Sequence, residues 1–531
     1  MLQYFAKAGR HDIISVMKEQ TEKIHFKPIE EKNKELAGWL LVIVSFLLYL
    51  FCISQGFTND IWYDEVFSVR FSGLSYGEIA AATAKDVHPP FYYWYLKFVA
   101  DAIHLIFPGL HFFTACKIAS MIPVLGIYFY ALRFVRKRFG TATAGIFLFF
   151  ITGMPQIFNY TVEIRMYSLA LFFVTAFFIH SLEIVYEERM KDYLFLFLYG
   201  ILTAYTQYFS CVAVIGIYIS LLVYQSVLKK WPAVKKTLFS IGLSVLCYLP
   251  WLPSLFGQIS AVRSGYWIQP FTLRTVPGCF KYVFLPVSYD GILNYAAAVL
   301  TILTVAAALF MFFRKKGNRE ELYFVLTAFL VPVCIAAVGL VCSLTGRPIF
   351  VYRYLIPALG VFWLAVAFLF AVQWRTGAVC LLFLPFLLTA FLNMKGFCME
   401  EHKKNTEMVK TGELISEFPE NAVIVANFDH VQAVTACYLE NDSYLYGGEP
   451  YPLIRELLPQ CKTVQAVEDG DALTELVRNE DVYFFGSFEV REELLKQWQK
   501  LGIGYTEEGS YLLERYWFNV YHLEWMNGES E

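Results

Sequence analysis

The chain has 531 residues, of which 57% are apolar and only 17% charged. Soluble globular chains average about 45–50% apolar residues, so this balance excludes an ordinary soluble protein and implies a polytopic membrane protein with a soluble portion. A formal net charge of −3 excludes the basic surface that a nucleic-acid partner requires.

Residues 1–35 are charged and read as a helical arm lying on the cytoplasmic face of the membrane. The first apolar run starts near Leu36, has no small-residue cleavage site behind it, and reads as an uncleaved span. Apolar runs follow at 36–56, 111–132, 141–158, 165–185, 193–208, 209–228, 236–256, 290–313, 321–343, 352–372 and 377–394. At about 20 residues per span they make about eleven crossings, or 12–13 if borderline stretches also cross. Four basic clusters set the orientation: Arg133–Arg138, Arg189 with Lys191, Lys229–Lys236 and Arg314–Arg319. With the N-terminus inside, all four fall on the cytoplasmic side. The loops carrying Asp64, Glu163, Arg263 and Arg353 then fall outside, as does the C-terminal part.

The stretch 91–107 is apolar enough to cross. Yet Lys97, Asp101 and His104 recur at i, i+4, i+7 and form one polar stripe on a helix. Such a stripe suits a helix lying in the interface. Residues 57–110 are therefore expected to form one external loop with juxtamembrane helices, within a membrane module spanning 36–395.

Residues 396–531 are expected to form an extracytoplasmic α/β domain. Strands are predicted at 422–426, 443–446, 482–485 and around Tyr511 and Val520, with helices at 431–440, 473–478 and 489–501. No GxGxxG and no P-loop occur, so no nucleotide site is expected. The 11 cysteines include no CxxC pair and no metal-ligand spacing. Cys437 and Cys461 are a candidate disulfide if their domain is outside.

Several polar groups in this apolar chain can carry chemistry. Asp64 and Glu65 adjoin the first span, where carboxylates are costly. Either they act as acid–base groups or they charge a helix N-terminus. Asp86 and His88 precede Pro89-Pro90, which fix a turn; His88 can also donate to phosphate or to a sugar hydroxyl. Glu163 and Arg165 lie between two spans and read as an ion pair holding the turn or as cavity-lining groups. Arg353 and Tyr354 open a late span, and Arg263, Arg274 and Lys281 share an external loop. Such cations suit a leaving phosphate or lipid headgroups. Thr206-Gln207-Tyr208 marks either a close interhelical turn or part of the same cavity.

Asp64-Glu65, His88-Pro89-Pro90 with Tyr92-Tyr93, Glu163-Ile164-Arg165-Met166-Tyr167 and Arg353-Tyr354-Leu355-Ile356-Pro357 together resemble the GT-C superfamily of polyprenyl-phosphate-sugar-dependent glycosyltransferases. The nearest branch holds protein O-mannosyltransferases and bacterial lipid A aminoarabinose transferases. The resemblance covers about residues 36–370 and rests on the order and spacing of the motifs.

It implies a catalytic cavity facing away from the cytoplasm in a bacterial-type inner membrane. Asp64 would be the base, with Glu65 and Glu163 as further catalytic carboxylates. Asp86, His88, Arg165, Arg263, Arg353 and Tyr354 would bind donor phosphate and sugar. The partners would be a polyprenyl-phosphate sugar, the bilayer and a glycan, lipid or protein acceptor. No cofactor is firmly implied, and a divalent metal between Asp64 and phosphate stays open. The rival readings are a transporter or flippase of lipid-linked sugars and a non-catalytic envelope assembly protein.

Overall fold

The computed structural model describes residues 30–526, except 59, 262–267, 273–274, 313–317, 346–347, 374–377, 465–470 and most of 285–311. The arm up to residue 29, Arg263, Arg274 and most of the predicted span 290–313 lie outside the described residues.

Hydrocarbon cannot satisfy backbone N–H and C=O groups, so the apolar runs coil into helices that satisfy their own. Among the described residues, seven helices are long and apolar enough to cross a membrane. They are α1 (Glu31–Gly56), α5 (Phe112–Phe139), α8 (Tyr167–Glu187), α10 (Tyr208–Val227), α11 (Trp231–Ser260), α13 (Arg319–Leu344) and α14 (Tyr352–Val372). Each matches a predicted apolar run. The run 141–158 splits instead into α6 (Thr141–Gly153) and α7 (Pro155–Val162), because Pro155 cannot continue the first helix. The run 193–208 becomes the 15-residue α9 (Met190–Ala204). A short helix α12 (Thr275–Phe284) follows α11.

α8 and α14 form the centre. Their apolar windows are 94% and 89% buried, against 11% for α11. The first helix shows how the outer ones attach. Its buried face is Gly38, Val42, Ser45, Tyr49, Cys52 and Gly56, spaced alternately four and three apart. Small residues on this stripe let backbones meet. A Cβ at Gly38 would lie 2.6 Å from the Thr141 carbonyl carbon, and one at Gly145 would lie 2.3 Å from the Gly38 oxygen.

Between α1 and α5 run three short helices: α2 (Tyr63–Ser72), α3 (Tyr76–Lys85) and α4 (Phe91–Ile106). Ser75 caps α3, its hydroxyl accepting from the Glu78 N–H while Glu78 accepts from the Ser75 N–H. α4 has 16 residues, with Lys97 and Asp101 paired at 3.1 Å on one face and Phe98, Leu105 and Ile106 exposed.

α15 (Ala378–Glu417) opens in the last apolar run and continues for 40 residues without a break. It therefore passes through residue 396, where the sequence places the start of the C-terminal domain. Beyond it, a six-stranded sheet has the order β3-β2-β1-β4-β6-β5. β1 (Val423–Ala426), β2 (Ser443–Tyr446), β3 (Cys461–Val464) and β4 (Val482–Gly486) are parallel. Helices α16 (Asp429–Thr435), α17 (Pro452–Leu457) and α18 (Asp471–Asn479) connect them, and α19 (Val490–Lys500) leads on. β5 (Ile503–Leu513) and β6 (Tyr516–Trp525) form an antiparallel hairpin.

β3 and α17 escaped the sequence reading because each is a short piece of weak pattern. The proposed Cys437–Cys461 disulfide is not formed; both thiols are free, and Cys437 donates to the Ala433 carbonyl at 3.5 Å.

The Gly38 contact is testable. Gly38→Val should force α1 away from α6 and cost about 1–3 kcal/mol, the usual range for overpacking. A lower thermal midpoint in detergent is expected, and an unchanged midpoint would show that the helices do not meet there.

Candidate active site

α2 begins just beyond α1, at the rim of the membrane part. The Glu65 carboxylate fixes this start. One oxygen accepts from the Trp62 N–H at 3.0 Å, as in a capping box, and the other accepts from the Ile164 N–H at 2.5 Å. Glu65 is 2% exposed and ties α2 to the turn between α7 and α8.

That tie places Asp64, in the first turn of α2, against Arg165. Arg165 Nη1 donates to the Asp64 backbone carbonyl at 2.8 Å, and its Nη2 lies 4.0 Å from the Asp64 carboxylate. Arg353, from the 3₁₀ turn that opens α14, approaches from the other side. Its Nη2 is 3.0 Å from Asp64 Oδ2, an ion pair without hydrogen-bond alignment. The guanidinium also faces the Trp62 and Tyr167 rings at 5.7 and 6.0 Å.

The row continues beyond Arg165. His88 Nε2 is 3.5 Å from Arg165 Nη2, and His88 Nδ1 is 3.1 Å from Asp86 Oδ2. Pro89 leads into Pro90, which already has helical dihedrals (φ −80°, ψ −18°) as the N-cap of α4, and the Phe91 N–H donates to the Tyr205 carbonyl at 2.9 Å. Asp86, His88, Arg165, Asp64 and Arg353 thus form one chain of alternating groups drawn from four separate segments.

Burial works against charge here, and the neighbours decide each outcome. Burial alone would raise Asp64, but Arg165 and Arg353 outweigh it and hold the carboxyl below the usual carboxylate range. Burial keeps His88 below the ordinary histidine value despite Asp86. Burial also raises Glu163, opposed chiefly by Arg515. Glu65 is pushed up to about 8 by burial, against the pull of Lys117.

Two cavities flank the chain. One, about 330 Å³, is mainly apolar and is lined by His88, Tyr208, Phe209, Leu255, Ile259 and Tyr354 among others. Gln207 and Tyr208 line it, as the sequence allowed; Tyr354 stacks on Phe209 with centroids 4.5 Å apart. The other, about 390 Å³, is polar; Asp60, Glu65, Lys117, Glu163, Lys404 and Arg515 are on its wall.

The structure therefore brings together Asp64, Asp86, His88, Arg165, Arg353 and Tyr354, with Glu65 and Glu163 beside them. Arg263 is outside the described residues. Lys117 and Asp60, paired at 2.7 Å, were missed. Lys117 inside the apolar run 111–132 was the available signal, since a lone buried cation needs a partner. Arg515 gave none, because a charged residue in a soluble domain is ordinary. Among the described residues no three His, Cys, Asp or Glu side chains are grouped to hold a metal ion. Asp64 in particular faces two guanidinium groups, an arrangement that repels a divalent cation.

No family model matches the chain, and no curated protein does. Solved structures do. ArnT from Cupriavidus metallidurans in the apo state superposes with a TM-score of 0.55 at 12% identity, covering 92% of this chain and 98% of that one. The same protein bound to undecaprenyl phosphate gives a TM-score of 0.56 at the same identity and coverage. The molecule thus has the fold of the ArnT structures, as the motif resemblance implied.

The Glu65 tie predicts a stability effect. Glu65→Ala strands two buried N–H groups, at about 1–3 kcal/mol each. Glu65→Gln, which keeps one acceptor oxygen, should lose roughly half as much. Thermal unfolding in detergent measures both, and an alanine variant as stable as wild type would show that Glu65 does not hold α2 in place.

Proposed function

We propose that the protein transfers a sugar from a polyprenyl-phosphate donor to a hydroxyl acceptor of the cell envelope, away from the cytoplasm. The observation that carries this reading is Asp64 held between Arg353 and Arg165, with an apolar cavity ending at the adjoining Tyr354 and His88. The GT-C fold, and an ArnT structure with undecaprenyl phosphate bound, support it.

In this reading the lipid tail occupies the apolar cavity and its phosphate meets Arg353, Arg165 and His88. The acceptor oxygen attacks C1 of the sugar from the opposite face. As that bond forms, the C1–O bond to phosphate breaks, and the anomeric centre inverts. The acceptor's proton passes to Asp64. Polyprenyl phosphate leaves with the bonding electrons, and the two guanidinium groups stabilise the charge it gains. Holding donor and acceptor side by side supplies a further part of the rate.

Asp64 is a weak base while both arginines serve it. A donor phosphate competes for the same cations, and Asp64 becomes more basic as they turn to it. Glu65, with both oxygens committed to backbone N–H groups, positions α2. The basic loops support a cytoplasmic N-terminus and an external site.

The test is transfer of radiolabelled sugar from polyprenyl-phosphate donors by purified protein in lipid. Asp64→Asn should fold and lose about 10²–10⁴-fold in transfer, the usual worth of a general base. Arg353→Met should weaken donor binding about 10–100-fold through loss of a charge-assisted contact. Full activity in Asp64→Asn would overturn the assigned base. Movement of sugar-lipid across the bilayer without transfer would favour a flippase.

A further inference from the structure

The C-terminal domain reaches into the site through the tip of the β5–β6 hairpin. Three successive residues there contact α15 or the membrane part. Glu514 pairs with Lys404 of α15 at 2.8 Å. Arg515 Nη2 lies 3.2 Å from Glu163 Oε1. The Arg515 guanidinium sits 3.8 Å from the centre of the Trp62 ring, two residues before Asp64. Tyr516 accepts at its hydroxyl from the Tyr63 N–H at 3.4 Å. The tip is also conformationally costly. Glu514 has φ +55°, a left-handed backbone that glycine or asparagine adopts more easily. A glutamate stands there and uses its carboxylate on both Lys404 and Arg515, whose Nε is 2.8 Å away.

The same residues wall the polar cavity. Glu163 points one oxygen at Arg515, while its Oε2 is buried without a hydrogen-bond partner. A buried acceptor atom in that state calls for a donor from whatever enters.

We propose that Arg515 is a positioning residue of the transfer site: through its ion pair to Glu163 and its packing on Trp62, it holds Glu163 toward the polar cavity, where the free oxygen receives an acceptor hydroxyl. The C-terminal domain is thereby part of the acceptor half of the site. This inference rests on the glycosyl-transfer reading above. It requires Glu163 to be ionised. Glu163 faces Arg515 and Glu514 from the hairpin, Asp64 and Glu65 from α2, Arg353 from α14, and Tyr160 and Tyr282. Burial raises its pKa and Arg515 is the chief opposing influence. Removing Arg515 therefore leaves Glu163 protonated to higher pH, and the acidic limb of the rate profile moves up.

The experiment uses the full chain in lipid, radiolabelled undecaprenyl-phosphate sugars as donors and a cell-envelope extract as acceptor. Arg515→Met, Arg515→Lys, Glu163→Gln and the double variant Arg515→Met/Glu163→Gln are compared across pH. Arg515 keeps 41% of its side chain exposed, so Arg515→Met should fold. Binding of undecaprenyl phosphate alone should stay within about twofold and confirm an intact donor half. Arg515→Met should transfer about tenfold more slowly on the acidic limb of the profile, which moves to higher pH, and approach the wild-type rate at alkaline pH. Arg515→Lys should recover most of the rate. The double variant should be no worse than Glu163→Gln.

An Arg515→Met protein with the wild-type rate and profile overturns the inference and leaves the transfer reading standing. So does an equal loss at every pH that adds to that of Glu163→Gln. A wild type that binds undecaprenyl phosphate but transfers nothing overturns both.

Discussion

Charge at the edge of a bilayer is tolerated only when it is matched, and this structure depends on that match. Asp64 and Asp86 are balanced by Arg165 and Arg353, with His88 between them. An unpaired member would leave a buried charge, which costs about 3–5 kcal/mol in proteins generally. The elements that supply these groups are accordingly fixed by other means. Glu65 ties α2 to the turn before α8. The proline pair fixes the turn of His88. The 3₁₀ turn at Tyr352–Leu355 delivers Arg353 from the start of the central helix α14. Each group is placed by its own piece of backbone, so the row is organised before any ligand arrives.

The same division explains where the site lies. α8 and α14 are almost wholly buried and leave no room for chemistry along their lengths. Their ends are different. Arg165 lies just before α8 and Arg353 in the turn that opens α14, where the packed centre meets the short helices α2–α4. The two central helices thus carry Arg165 and Arg353 at one end, and the short helices need only complete the row.

Much of this was legible in the sequence, and for a physical reason. Lipid forces span-length helices, so seven predicted runs became seven helices. It also makes any ionisable residue near a span conspicuous, so Asp64, His88, Glu163, Arg165 and Arg353 stood out. Their pairing did not. Residues 64, 88, 165 and 353 meet through tertiary packing that periodicity does not encode. The two-way use of Glu65 by distant N–H groups was equally hidden. The C-terminal domain lost most, because short strands such as Cys461–Val464 carry little pattern. The signals of a soluble domain are those of any α/β protein, and nothing in the triplet Glu514-Arg515-Tyr516 marks it as bound for the membrane part.

Asp64, as the proposed base, looks ill suited to take a proton while two arginines hold it, yet the arrangement has its own logic. Without a donor, Asp64 is an ion-paired carboxylate with little tendency to deprotonate a hydroxyl. The groups that restrain it are the ones a phosphate would engage. Arrival of the donor would therefore do two things at once, seating the leaving group on Arg353 and Arg165 and loosening their hold on Asp64. Basicity would rise only when there is a sugar to transfer. The polar cavity on the other side would be served by Glu163 and, through it, by Arg515. Donor and acceptor would then meet across the short stretch Trp62–Glu65, where the Glu65 carboxylate binds the Trp62 and Ile164 N–H groups and the hairpin's Tyr516 accepts from the Tyr63 N–H.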